Sequence, residues 1–189
     1  MLDFLRQTEK EALPDYIRQY YVFLKKKEKE DNESLDSCDM NTHIGHFKFF
    51  NELCGFKPEV INCERQLDIY TYVTLFNKDG IGYCLRCQSK GDKSFIYFQQ
   101  HSTDMTENKR IELEKMKNIC ENIVGQMNIC NFIEKVSQPA KVYKGARIFK
   151  ITFDKNEKTP QKVGEFTRKF IYELSVELNR PDIIDNFEA

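Results

Sequence analysis

The chain has 189 residues, of which 40% are hydrophobic and 31% charged, and this length suits one domain. Its 15 Phe and 9 Tyr can fill a real core, which excludes global disorder. The formal net charge is −1, so the molecule as a whole is not an electrostatic nucleic-acid binder. Seven cysteines, an odd number scattered along the chain, favour reduced thiols over a disulfide framework.

No targeting or membrane segment is predicted. The N-terminus, Met1-Leu2-Asp3-Phe4, has an early acid and no uninterrupted apolar stretch, unlike a secretory signal. The longest apolar runs are about five residues, far short of the ~20 that span a bilayer. We therefore expect an intracellular protein of a reducing compartment, the cytoplasm or the nucleus.

Residues 1–55 are predicted to form an N-terminal helical segment, and residues 56–189 an α+β core domain. A first helix begins at Pro14, where proline sacrifices no needed donor, and a polar loop follows at residues 31–39. Thr42 can cap a second, short helix, for which Gly55 is a suitable C-terminal stop.

Residues 67–76 alternate with the period of a β-strand. One set of side chains is mainly aliphatic: Leu67, Ile69, Thr71, Val73 and Leu75. The other set is aromatic and partly polar: Asp68, Tyr70, Tyr72, Thr74 and Phe76. The strand is expected to turn the first set towards a core and the second set away from it.

Two turns divide the next residues into further strands. Asp79-Gly80 tolerates the positive φ angles of a tight hairpin, and residues 81–88 form the second strand. A turn at residues 89–92 leads to a third strand at 94–100. The stretch from Leu67 to Gln100 is therefore predicted to be a three-stranded β-meander.

Two longer helices follow the meander. The first begins at a capping box of Asp104 and Glu107, in which Thr103 or Thr106 can share the cap, and it bends or breaks near Gly125. Residues 141–154 form a strand or a tight hairpin. The last helix opens at Thr159-Pro160 and ends at Pro181. Its predicted apolar stripe is Val163, Phe166, Phe170, Ile171, Leu174 and Leu178. The predicted class is α+β, an antiparallel three- to five-stranded meander packed by helices, in the order α-α-β-β-β-α-β(β)-α.

Metal and thiol chemistry are weakly indicated. Cys84 and Cys87 form a Cys-x-x-Cys, but residues three apart in a strand point to opposite faces, which favours buried, inert thiols over zinc. His43 and His46 lie one helical turn apart without an obvious carboxylate beside them, and whether they converge with Cys54 or Cys84 stays open. We predict no metal and no cofactor.

Enzymatic chemistry is the third hypothesis. A metal-dependent nuclease needs an acid near one strand end, for which Asp68 is available, and an acid-x-Lys on the next strand. The nearest approach, Asp92-Lys93, has the wrong spacing. His101 can serve as a base only where the fold brings a nucleophile to it. We assign no catalytic residue.

The favoured hypothesis is a non-enzymatic binding or assembly module, a small subunit or adaptor whose partner is another protein chain. The aromatic surplus of the first helix exceeds what one helix face can bury. The predicted partner-binding residues are Tyr16, Tyr20, Tyr21, Tyr70 and Tyr72.

Nucleic-acid binding is the second hypothesis. Residues 140–170 carry nine Lys or Arg against three acids. Such a stretch can contact a phosphate backbone, while Tyr70, Tyr72 and Phe98 on the aromatic face of the sheet stack on bases. The predicted contacts are Lys141, Lys144, Arg147, Lys150 and Lys162.

Overall fold

The computed structural model describes residues 42–65, 69–91, 93–101, 106–127, 145–154 and 158–187, together with Gln19 and Met40. The helices are α1, His43–Lys48; α2, Glu107–Gln126; and α3, Lys158–Glu177. A π-helix, Phe49–Leu53, follows α1 directly, and 3-10 turns span Pro58–Val60 and Pro181–Asn186. The strands are β1, Ile61–Arg65; β2, Ile69–Lys78; β3, Ile81–Lys90; β4, Lys93–His101; and β5, Gly145–Asp154.

The strands form one antiparallel sheet in the order β1-β2-β3-β4-β5, so that each pairs with its neighbour along the chain. This confirms the predicted α+β class, the meander and the order of the elements. Strand β1 was not predicted from the sequence and brings the sheet to five strands, with Ile61 opposite Val73 of β2.

The helices pack on one side of the sheet, which we call the helix face. Alternate residues of β3 contribute to it, since Tyr83, Leu85 and Cys87 are fully buried in the core cluster. On β4 the ring of Phe98 is fully buried and lies 5.8 Å from that of Phe170 on α3, so its prediction as an accessible stacking platform for bases is wrong. Apolar residues of α1, the π-helix and α2 belong to the same cluster, so the core lies between the sheet and the helices.

The opposite side of the sheet, the far face, carries a cross-strand row of rings and cations. The register aligns Tyr72, Arg86, Tyr97 and Lys150 on four successive strands. Tyr72 is half-buried and Tyr97 is only 5% exposed. Tyr72 and Thr74 of the aromatic set of β2 therefore lie away from the helices, as the alternation predicted.

One residue of that set was placed wrongly. Phe76 was predicted on the aromatic face, but it is 5% exposed and belongs to the helix-side core. The register of β2 against β3 shifts between Thr74 and Phe76. An extra residue at a β-bulge reverses the alternation of side chains beyond it, so Leu75 and Phe76 both enter the core. There the Phe76 ring stacks on Tyr83 at 4.7 Å.

The predicted turns and caps are confirmed. Asp79 and Gly80 have φ angles of 51° and 73°, as a tight hairpin requires. The Thr42 hydroxyl accepts a hydrogen bond from the Gly45 N–H at 2.9 Å at the start of α1. Thr106 caps α2, which ends at Gln126 beside the predicted break. None of the helices among the described residues is long and apolar enough to cross a membrane.

Two glycines within helices have opposite surroundings. A Cβ at Gly164 of α3 would stand 2.6 Å from the Cβ and 2.8 Å from the carbonyl oxygen of Leu53. A Cβ at Gly125 of α2 would meet nothing within 4 Å. Gly164 is therefore required by the close approach of α3 to the π-helix, whereas Gly125 is not required by packing.

We expect Gly164→Ala to lower the free energy of unfolding by about 1–3 kcal/mol, because overpacking against Leu53 outweighs the gain in helix propensity. The matched variant, Gly125→Ala, should raise it by about 0.5–1 kcal/mol. Urea unfolding of both variants, followed by circular dichroism, measures the two changes. Changes of the same sign at both positions would contradict the close approach.

Two polar side chains are buried on the helix face with no hydrogen-bond partner in the described part of the chain. Tyr83 and Gln100 lie opposite one another on β3 and β4, and both are 0% exposed. The Tyr83 hydroxyl and both polar atoms of the Gln100 amide are unpaired. Burial, with a smaller contribution from Glu112, raises the pKa of Tyr83 to about 12.

We expect Tyr83→Phe to raise the free energy of unfolding by about 1 kcal/mol at neutral pH, because it removes a buried unsatisfied hydroxyl. The pKa of the Tyr83 hydroxyl is higher in the folded protein than in the unfolded chain. Its protonated form therefore contributes stability that is fully present below pH 10 and is lost as the pH rises towards 12. The variant should lack that part of the alkaline loss. Denaturant midpoints at pH 7, 9 and 11 test both effects, with the exposed Tyr172→Phe as control. A destabilised Tyr83→Phe protein would contradict this account.

Candidate protein-binding groove

The site begins at the end of the π-helix, where the chain reverses. Cys54 donates its N–H to the Phe49 carbonyl at 2.9 Å, which is the wider hydrogen-bond spacing of a π-helix. Gly55 then adopts φ +82°, a conformation that glycine reaches without steric cost. This turn lets the Phe56 N–H bond the Phe50 carbonyl at 2.9 Å, and it starts a short extended segment.

The C-terminal 3-10 turn returns to that extended segment. Phe56 and Phe187 form an isolated antiparallel bridge, and their rings stack at 4.5 Å with planes 22° apart. The Lys57 N–H donates to the Asn186 carbonyl at 2.8 Å. The two segments, more than a hundred residues apart in sequence, therefore form one wall.

Helix α3 supplies the second wall. Its contact with Leu53 at Gly164 brings Arg168, one turn further along, beside the end of the π-helix. The Arg168 Nε donates to the Cys54 carbonyl at 3.0 Å, satisfying one of the carbonyls that a helix end leaves without an internal partner. The guanidinium lies over Gly55, where a Cβ would stand 2.9 Å from Arg168 Cζ.

Two adjoining cavities lie between these walls, and both are lined by Arg168 and Tyr172. The larger, of about 510 Å³, is lined by Glu52, Leu53, Gln161, Glu165, Arg168, Lys169 and Tyr172. The smaller, of about 190 Å³, is lined by Gly55, Arg168, Tyr172, Ile184 and Phe187. We call the two together the α3 groove.

Exposed apolar side chains flank this groove. Tyr172 is 56% exposed and Val176 is 60% exposed, one helical turn apart on α3. Among the described residues the remaining exposed large hydrophobic side chain is Ile111 on α2, at 48%. The inward stripe of α3 is already filled by Val163, Phe166, Phe170, Ile171 and Leu174. Tyr172 and Val176 therefore lie outside the core that the described residues form.

The two cavities of the α3 groove differ in their charged residues. The larger is lined by two acids, Glu52 and Glu165, and by two cations, Arg168 and Lys169, whereas Ile184 and Phe187 line the smaller one. Arg168 lines both cavities. The groove therefore offers a ligand an apolar pocket with a cation beside it, and a larger cavity with charges of both signs.

Of the predicted partner-binding tyrosines, the structure describes the side chain of Tyr72 alone. Tyr16, Tyr20 and Tyr21 lie outside the described residues. Tyr70 lies on β2, but its side chain is outside the described part. Tyr72 is half-buried on the far face, aligned with Arg86.

The predicted basic residues do not form one surface where they are described. Lys141 and Lys144 lie outside the described residues, and Arg147 lies on β5 opposite Gln99 with its side chain undescribed. Lys150 is on the far face, where its Nζ lies 3.9 Å from the centre of the Phe95 ring. Lys162 is exposed on α3, which packs on the helix face.

Several of the residues that were considered as metal ligands are buried in the structure. Cys84 and Cys87 are both buried, on opposite faces of β3. His46 is fully buried, with Nε2 2.9 Å from the Met40 carbonyl oxygen and 2.9 Å from Ser89 Oγ. The residues that the structure describes contain no group of three His, Cys, Asp or Glu placed to hold a metal ion. Asp68 and Asp92 lie outside them, as does the side chain of His101.

The α3 groove was missed in the sequence because its walls are remote from one another along the chain. One local signal was present: Tyr172 and Val176 fall off the predicted apolar stripe of the last helix. Comparisons with protein-family models, with curated proteins and with solved structures gave no match to this chain.

Proposed function

We propose that this protein is a non-enzymatic binding module that docks another protein chain on the α3 groove and on the adjoining Tyr172 and Val176. The observation that carries the proposal is the adjacent pair of exposed apolar side chains beside a preformed groove. Tyrosine and arginine are enriched among the residues that dominate binding energy at protein interfaces. Both line the groove here, at Arg168 and Tyr172.

The groove is rigidly framed, which favours recognition of a partner. The stacked Phe56 and Phe187 rings hold one wall, and the contact between Gly164 and Leu53 holds the other. A binding surface that is ordered before association loses less conformational entropy when the partner arrives. The site therefore needs no large rearrangement to accept a ligand.

Nucleic-acid binding is supported less well. Lys150 and Lys162, the predicted contacts whose side chains are described, lie on different layers of the fold. Tyr97, a ring of the far face, is 5% exposed and offers little surface for stacking.

We expect Tyr172→Ser and Val176→Ser each to weaken partner capture at least tenfold, since loss of a central aromatic or aliphatic anchor typically costs ~1–2 kcal/mol or more. The measurement is affinity capture from an extract of the source cells, with quantitative mass spectrometry of proteins retained by the wild-type chain and each variant.

Ile111→Ser is the matched control, because it removes an exposed apolar side chain from α2 instead of α3. Thermal unfolding of each of the three variants serves to check that it is folded. If every captured protein is retained equally by the Tyr172, Val176 and Ile111 variants, the α3 groove is not the binding surface and the proposal fails.

A further inference from the structure

The α3 groove also indicates what chemistry its partner presents, an inference that rests on the proposed function. The smaller cavity is a pocket for an apolar group. Ile184 and Phe187 line it with hydrocarbon, Tyr172 closes one side, and Gly55 contributes backbone without a side chain. A volume of about 190 Å³ is suited to one apolar side chain of a ligand.

The cation at the edge of this pocket is held before any ligand arrives. Arg168 Nε is committed to the Cys54 carbonyl at 3.0 Å, and this bond fixes the plane of the guanidinium. Within the described structure the two terminal amino groups of Arg168 are left as donors. A guanidinium offers such paired donors to a carboxylate in a geometry that lysine cannot match.

The larger cavity adds charges of both signs, because Glu52 and Glu165 line it together with Arg168 and Lys169. It therefore sets no single charge for that part of the ligand. The smaller cavity is more selective, since it offers a place for an apolar anchor with a cation beside it.

We infer that the partner of the α3 groove is a peptide segment of another protein, in which an acidic side chain stands close to an apolar anchor. The apolar anchor enters the pocket of Gly55, Ile184 and Phe187. The acidic side chain pairs with Arg168.

The probe is a random 12-residue peptide library displayed on phage and selected against the full chain. Peptides bound by the wild-type protein should be enriched in Leu, Met or Phe within four positions of Asp or Glu. In a fluorescence-polarisation titration, replacing the acidic residue of a selected peptide by its amide should weaken binding to the wild-type chain at least tenfold.

The decisive measurement is a double-mutant cycle with Arg168→Gln. Binding to this variant should be weak and should no longer depend on the acidic residue of the peptide. Lys162→Gln, which removes one exposed positive charge elsewhere on α3, is the control and should keep the full dependence. Arg168→Lys should restore only part of the loss, because it keeps the charge but not the paired donors.

Each outcome bears on the inference. Failure to enrich any peptide, enrichment without an acidic residue, or an equal acid dependence in the wild-type and Arg168→Gln chains would overturn it. If peptides bind in a manner that depends on Tyr172 but not on an acidic residue, the α3 groove is still a docking site and only the assigned chemistry is wrong. Circular dichroism and thermal unfolding of Arg168→Gln exclude a folding defect as the cause of weak binding.

Discussion

The contact between Gly164 and Leu53 determines where the α3 groove lies. Without a side chain at Gly164, helix α3 approaches the backbone of the π-helix directly. Arg168, Tyr172 and Val176 follow Gly164 at intervals of four residues, and residues four apart are neighbours on a helix surface. The π-helix ends at Leu53, so Arg168 contacts the carbonyl of Cys54 at its end, while Tyr172 and Val176 lie beyond it. The row of residues that begins at the helix contact therefore ends in exposed side chains.

Much of the fold followed from local chemistry. The change from a period of 3.6 to a period of 2 at the meander predicted the α+β class, and Thr42 and Asp79-Gly80 marked a cap and a hairpin where the structure has them. Phe76 was placed on the wrong face because a β-bulge depends on how two strands pair, and pairing leaves no mark in one strand's alternation. Strand β1 escaped prediction because its five residues carry only two apolar side chains, Ile61 and Cys63, which are too few for a periodic signal.

The candidate site was far less predictable than the fold. Its walls come from the turn at Gly55, from α3 and from the C-terminal segment at Phe187, which only tertiary packing brings together. Periodicity reports which side of a helix is apolar, but it does not report what stands opposite an exposed residue. Tyr172 lies outside the apolar stripe of the last helix, and that position is typical of an exposed side chain but does not reveal a cavity. The cavity beside it depends on the reversal at Gly55, which was predicted as a helix stop and not as part of a site.

The π-helix connects the stability of this region with its binding chemistry. In the wider spacing of the π-helix, the Cys54 N–H donates to the Phe49 carbonyl. The Cys54 carbonyl accepts a hydrogen bond from the Arg168 Nε–H in place of a backbone donor. The guanidinium thus caps the helix end and lines the groove. Because the cap already fixes the side chain, the proposed binding of a carboxylate would cost little further rotamer freedom, which favours a larger binding free energy. A lysine at this position would supply the positive charge. It has no planar guanidinium, so it could not bond the Cys54 carbonyl with one N–H group and present two further N–H groups in the same plane to a carboxylate.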